Sequence, residues 1–210
     1  MFLLGFLNLF FGITFQATAQ TKPPNAEIIS VNLKGSGCDL ASAAVSISPD
    51  LQDLSILFDN MVLEAKPSMV NPKNLIAAKQ CTVNIEMGVP AGWQFALVSV
   101  DYRGFASVPK GATAFQRFVY NAPMMPIVSL REARFVGPYT GNFIFQANQK
   151  ATRLAWTPCS QSKVSLAMTA SVGIAYSLRN RYPEAMVSLD SQDLSFKQTF
   201  QVQWQQCSRN

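Results

Sequence analysis

There is no histidine in the 210 residues. That excludes Ser-His-Asp and Cys-His catalysis and removes the commonest transition-metal ligand. Acidic side chains are few, 12 against 17 Lys and Arg, and charged residues make up only 14% of the chain. No G-x-S-x-G, P-loop or dinucleotide fingerprint occurs. Zinc would find neither histidine nor a cysteine pair spaced C-x2–4-C. Beyond Phe15 no apolar run approaches the roughly 20 residues that span a bilayer as a helix. No segment carries a convincing helical period either. These absences point away from the common enzyme classes, and neither a cofactor nor a metal is expected.

What is present begins with an address. Met1 to Phe15 is uncharged and apolar, and Ala17 and Ala19 put small side chains where a signal peptidase cuts. Residues 1–19 therefore suggest a secretory signal peptide, although no Lys or Arg precedes the apolar stretch. Residues 20–26, with Pro23-Pro24, form an extended leader in this reading. Residues 27–210 form a single domain, long enough to bury a substantial core. The expected location is extracellular or periplasmic.

The net charge of +5 does not depend on that segment, which has no charged side chain. The cations are dispersed: Lys34, Lys66, Lys73, Lys79, Arg103, Lys110, Arg117, then Arg131 with Arg134 and Arg179 with Arg181. No run of them forms a nucleic-acid arm, and no nucleic-acid partner is expected. They are the solvated cations of a soluble surface or, alternatively, a weak attraction to acidic polymers or anionic envelope surfaces. Four cysteines in an exported chain imply two disulfides. Three connectivities are open, and the sequential one, Cys38–Cys81 with Cys159–Cys207, is expected. Each bridge would close a long loop, worth about 4 kcal/mol on chain-entropy arithmetic.

Period-two alternation dominates the rest. Ile29, Val31 and Leu33 alternate with polar neighbours, as do Val45 and Ile47, then Leu54, Ile56 and Phe58. Cys81 to Val89, Phe115 to Tyr120, Val164 to Val172, Met186 to Leu189 and Leu194 to Trp204 continue the pattern. Gly35-Ser36-Gly37, Ser48-Pro49-Asp50, Pro90-Ala91-Gly92 and Asp190-Ser191-Gln192-Asp193 supply turns. Lys66 to Lys79 suggests a surface loop with one helical turn at Leu75 to Ala78. The longest strand signal is Trp93 to Ala106. It is apolar on both faces, with Trp93, Phe95 and Leu97 on one side and Val98, Val100 and Tyr102 on the other, and so is expected inside a sheet. The fold class that follows is all-β, an antiparallel β-sandwich of roughly ten to twelve short strands.

Eight fragments in order carry a family resemblance: Gly35-Ser36-Gly37-Cys38, Ser48-Pro49-Asp50, Phe58-Asp59-Asn60, Lys79-Gln80-Cys81, Val100-Asp101-Tyr102-Arg103-Gly104, Gly137-Pro138-Tyr139, Trp156-Thr157-Pro158-Cys159 and Trp204-Gln205-Gln206-Cys207. Together they resemble the secreted family called domain of unknown function 4360, from about Ile29 to Cys207. The resemblance implies a small secreted protein with all four cysteines at family positions. It implies no activity and no catalytic residue.

Three constellations are candidates for ligand binding. Asp101 and Arg103 project to one face of a strand around Tyr102, where they hold a polar ligand or else pair locally. Asp59-Asn60 offers oxygens to a calcium ion or simply makes a turn. Trp93, Trp156 and Trp204 form a sugar-stacking platform if exposed and core if not. A glycosidase would need two facing carboxylates from among Asp59, Glu64, Glu86, Asp101 and Glu132. The leading expectation is a non-enzymatic exported protein, binding or structural at the cell exterior, with an envelope or polysaccharide component as possible partner. The alternatives are a carbohydrate-binding module and a secreted hydrolase with paired carboxylates.

Overall fold

Alternating side chains give one buried and one wet face per strand, and two such sheets close on each other. The computed structural model describes residues 23–38, 43–71, 73–121, 128–129, 132–148, 154–177, 183–189 and 197–208. The expected signal peptide, Arg131, Arg179, Arg181, the turn at Asp190 to Asp193, Leu194 and Phe196 lie outside them. In chain order the strands are β1 (Glu27–Lys34), β2 (Ala43–Ile47), β3 (Asp53–Phe58), β4 (Val62–Ala65), β5 (Ile76–Gly88), β6 (Trp93–Val108) and β7 (Ala112–Asn121). There follow β8 (Val128–Ser129), β9 (Ala133–Val136), β10 (Tyr139–Asn148), β11 (Lys163–Tyr176), β12 (Ala185–Ser188) and β13 (Lys197–Gln206).

A six-stranded sheet runs β1-β5-β11-β7-β8, with β9 also on β7. A seven-stranded sheet runs β2-β3-β13-β6-β12-β4, with β10 also on β6. All pairings among these strands are antiparallel. The protein is thus an all-β antiparallel sandwich. Its strands are not uniformly short, since β5, β6 and β11 have 13, 16 and 14 residues. Phe118 of β7 meets Phe200 of β13 across the core with ring centroids 4.8 Å apart. Phe135 of β9 packs on Tyr139 and Phe143 of β10 at 5.1 and 4.5 Å, closing one side of the sandwich with aromatic rings.

β6 is the central strand, but not because both its faces are apolar. Leu97 pairs with Val202 and Ser99 with Gln201, so Val98 is an extra residue, a β-bulge. The bulge shifts the alternation by one. Trp93, Phe95 and Leu97 before it and Val100, Tyr102 and Ala106 after it therefore all belong to the same core. A phase change within one strand looks, in sequence, like a strand with two apolar faces. β6 also runs two residues past Ala106, to Val108.

Two smaller expectations are corrected likewise. Ile76 to Ala78 begin β5 and form no helical turn; the short 3-10 turn lies earlier, at Pro67–Met69. β1 has its own irregularity between Ile28 and Ser30. Ile28, Val31 and Leu33 pack on the core, while Ile29 is 42% exposed.

The disulfides are Cys38–Cys81 and Cys159–Cys207, the sequential pairing. The first ties the end of β1 to β5 with Cys81 fully buried; the second, with Cys159 exposed, ties the approach to β11 to the end of β13.

Candidate functional site

The largest described cavity, about 640 Å³, lies on the outer face of the six-stranded sheet. Its floor consists of small side chains, Ala78 of β5 with Ser171 and Ala175 of β11, and its rim of long ones, Gln80, Arg117 and Arg134. Strand register explains the grouping. Ala78, Gly173, Phe115 and Arg134 form one row across β5, β11, β7 and β9, and Gln80, Ser171 and Arg117 form the next.

Phe115 is the aromatic group of this surface. A Cβ added at Gly173 would collide with Cζ, Cε1 and Cε2 of Phe115 together, so the end of the ring lies over that glycine. A mid-strand glycine costs packing and is retained where something approaches the backbone closely. Here a half-buried phenyl ring does so.

Charge is distributed unevenly over the cavity. Arg134 Nε lies 2.5 Å from Glu132 Oε1, in ion contact but misaligned for a hydrogen bond. Arg117 is exposed and makes no ion pair among the described residues. Lys79 also lines the cavity, but its Nζ donates to Asn60 O at 2.9 Å, to Asn60 Oδ1 at 3.3 Å and to Val62 O at 3.1 Å, so its charge is turned toward the other sheet. The Glu132 charge is also felt in the core: Tyr102 is held neutral well above the usual tyrosine range, first by burial and second by that charge. For a phenol, a raised folded-state pKa means stability that is complete below the ordinary value of 10 and is lost as the pH climbs toward the folded value. Urea midpoints measured from about pH 8 to 12 should fall above about pH 10, and less steeply in Tyr102→Phe.

The residues singled out from sequence lie elsewhere. Asp101 and Arg103 share the outer face of the seven-stranded sheet and are not ion-paired among the described residues, while Tyr102 points into the core and stacks on Phe145 at 4.9 Å. Asp101 is flanked by Gln146 and Thr199, with Oδ1 buried and unbonded. Asp59 is exposed, and the oxygens of Asn60 receive the Lys79 ammonium. No group of three metal-ligating side chains occurs among the described residues. Trp93 and Trp204 are buried, the latter donating Nε1–H to Leu51 O at 2.8 Å, and Trp156 is half-buried. The carboxylates are dispersed. Described cavity linings hold one each: Glu132 in the largest and in its neighbour between β9 and β10, Glu184 near Pro138, Asp53 near Val98.

Phe115, Arg117, Arg134 and Gly173 were not candidates in the sequence. Their one visible signal is the glycine amid the alternating residues of β11. Pairing it with Phe115 needs the β7–β11 register, which one sequence does not supply.

Residues 24–207 match the family model described as Domain of unknown function (DUF4360). The chain belongs to this family. An "Uncharacterized secreted protein" of Arthroderma benhamiae is 28% identical to this DUF4360 chain over 186 residues, 89% of the chain and 74% of that protein. Among solved structures, TmCBM61 in complex with β-1,4-galactotriose aligns at 11% identity and a TM-score of 0.26, covering 86% of this chain and 90% of that one. An exo-β-agarase aligns at 8% and 0.26, covering 90% of this chain and 24% of that one. TM-scores at this level establish no residue correspondence. The eight fragments that carry the resemblance fall mainly in turns and at the four bridged cysteines. The cavity row of Phe115, Arg134 and Gly173 lies outside all eight.

Proposed function

We propose that this DUF4360 protein is an exported, non-catalytic binding protein that holds a polysaccharide of the cell exterior against its six-stranded sheet. The carrying observation is Phe115, laid over Gly173 in the largest described cavity, with Arg117, Ser171 and Gln80 in the next row of the same face, two residues along their strands. Such an arrangement offers the apolar C–H face of a sugar ring a π surface, and its hydroxyls a ring of donors and acceptors. A rigid sheet presents these groups with little left to order on binding. Export is supported by the apolar leader at 1–19, by two disulfides of the kind that persist in oxidising compartments, and by the secreted relative.

The test is isothermal titration against neutral and acidic oligosaccharides, with turnover assayed in parallel. Phe115→Ala should weaken the best binder about tenfold while leaving the near-UV spectrum unchanged. Undiminished affinity in that variant, or hydrolysis of the ligand, would contradict the reading.

A further inference from the structure

We infer that the sugar taken by this face is acidic, with Phe115 stacking the ring and Arg117 receiving its carboxylate. The inference rests on the binding reading above and adds the ligand's charge. Among the cavity's charged groups, Arg134 is compensated by Glu132 and the Lys79 ammonium is turned to Asn60 and Val62. That leaves Arg117 as the cation of the lining with no partner among the described residues. It stands two residues from Phe115 on the same face of β7, about 6.6 Å along the strand.

An uncompensated guanidinium beside an aromatic platform suits a ring bearing a planar carboxylate, to whose oxygens the fork donates two parallel hydrogen bonds. The ion contact of Glu132 with Arg134 Nε offsets that cation's charge at the rim. Ser171 and Gln80 continue the row beyond Arg117 and supply uncharged partners. The basic balance of the whole chain, +5, acts in the same direction by drawing polyanions to the surface.

The experiment compares oligogalacturonate with its fully methyl-esterified form, the same backbone without the charge, and adds a sulfated galactan of equal charge density. The acid form should bind about tenfold or more tightly than the ester in low salt, and the gap should narrow as salt rises. Arg117→Gln should bring the acid down to the level of the ester, and Arg117→Lys should recover part of the difference. Arg117 is exposed, so both variants should fold as the parent does. Equal binding of acid and ester overturns the inference but leaves a neutral-sugar face standing. Acid binding that ignores Arg117→Gln also overturns it, as does a preference for the sulfated polymer. If neither these nor any neutral oligosaccharide binds, the underlying binding reading falls with it.

Discussion

A Cys38→Ala, Cys81→Ala double variant is expected to melt about 8–16 °C below the parent. The bridge spans 43 residues, so chain entropy alone assigns it about 4 kcal/mol, and a chain of this length shifts about 2–4 °C per kcal/mol. Its position adds a local effect. Gly37 N–H donates to Gln80 O at 2.8 Å and Gln80 N–H donates to Ser36 Oγ at 3.1 Å, so the segment after β1 is stitched to β5 beside the bridge. Ser36 and Gln80 are both in the cavity lining. Loosening this corner should therefore weaken ligand binding as well as stability. Calorimetry of the double variant checks the first effect and titration the second. The Cys159–Cys207 bridge spans a similar 48 residues but lies away from the cavity, and its removal should lower the melting point without weakening binding. A double variant at Cys38 and Cys81 that melts with the parent would contradict this account.

The second large effect belongs to the ring pair joining the sheets. Phe118 and Phe200 are each fully buried, and Phe200→Ala should cost about 3–5 kcal/mol as lost transfer energy plus the cavity left behind. Phe118→Ala should cost about as much. The two losses should not add. Once one ring is gone the other has already lost its partner, and the direct contact is worth about 0.5–1.5 kcal/mol beyond buried area. Urea unfolding of both single variants and the double completes the cycle. Full additivity would mean that the sheets do not meet at these rings.

Much of this fold was legible because period two survives burial. The alternation from Cys81 to Val89 fills the second half of β5 and runs one residue past its end, and that from Val164 to Val172 lies within β11. The bridges join neighbours along the chain, the pairing preferred among the three open ones. Phase was what misled. At Val98 one extra residue turns a one-faced strand into an apparent two-faced one, and nothing in the residue itself marks a bulge. The tryptophans drew the reading toward aromatic content, whereas the cavity's aromatic group is a phenylalanine whose setting depends on a glycine of another strand. Asp101 and Arg103 do share a face, as spacing required, but no ion pair joins them among the described residues. The site was hidden because it is assembled across four strands distant in sequence, β5, β7, β9 and β11. Each supplies side chains ordinary in isolation.

The most direct test of the account is a residue-by-residue map of where ligand lands. Amide chemical shifts of the labelled protein, followed while the best-binding oligosaccharide is added, should move at Gln80, Phe115, Arg117, Arg134, Ser171 and Gly173, and should stay fixed around Asp101, Thr199 and Gln201. Shifts gathered on that opposite face, with the Phe115 row unmoved, would contradict it.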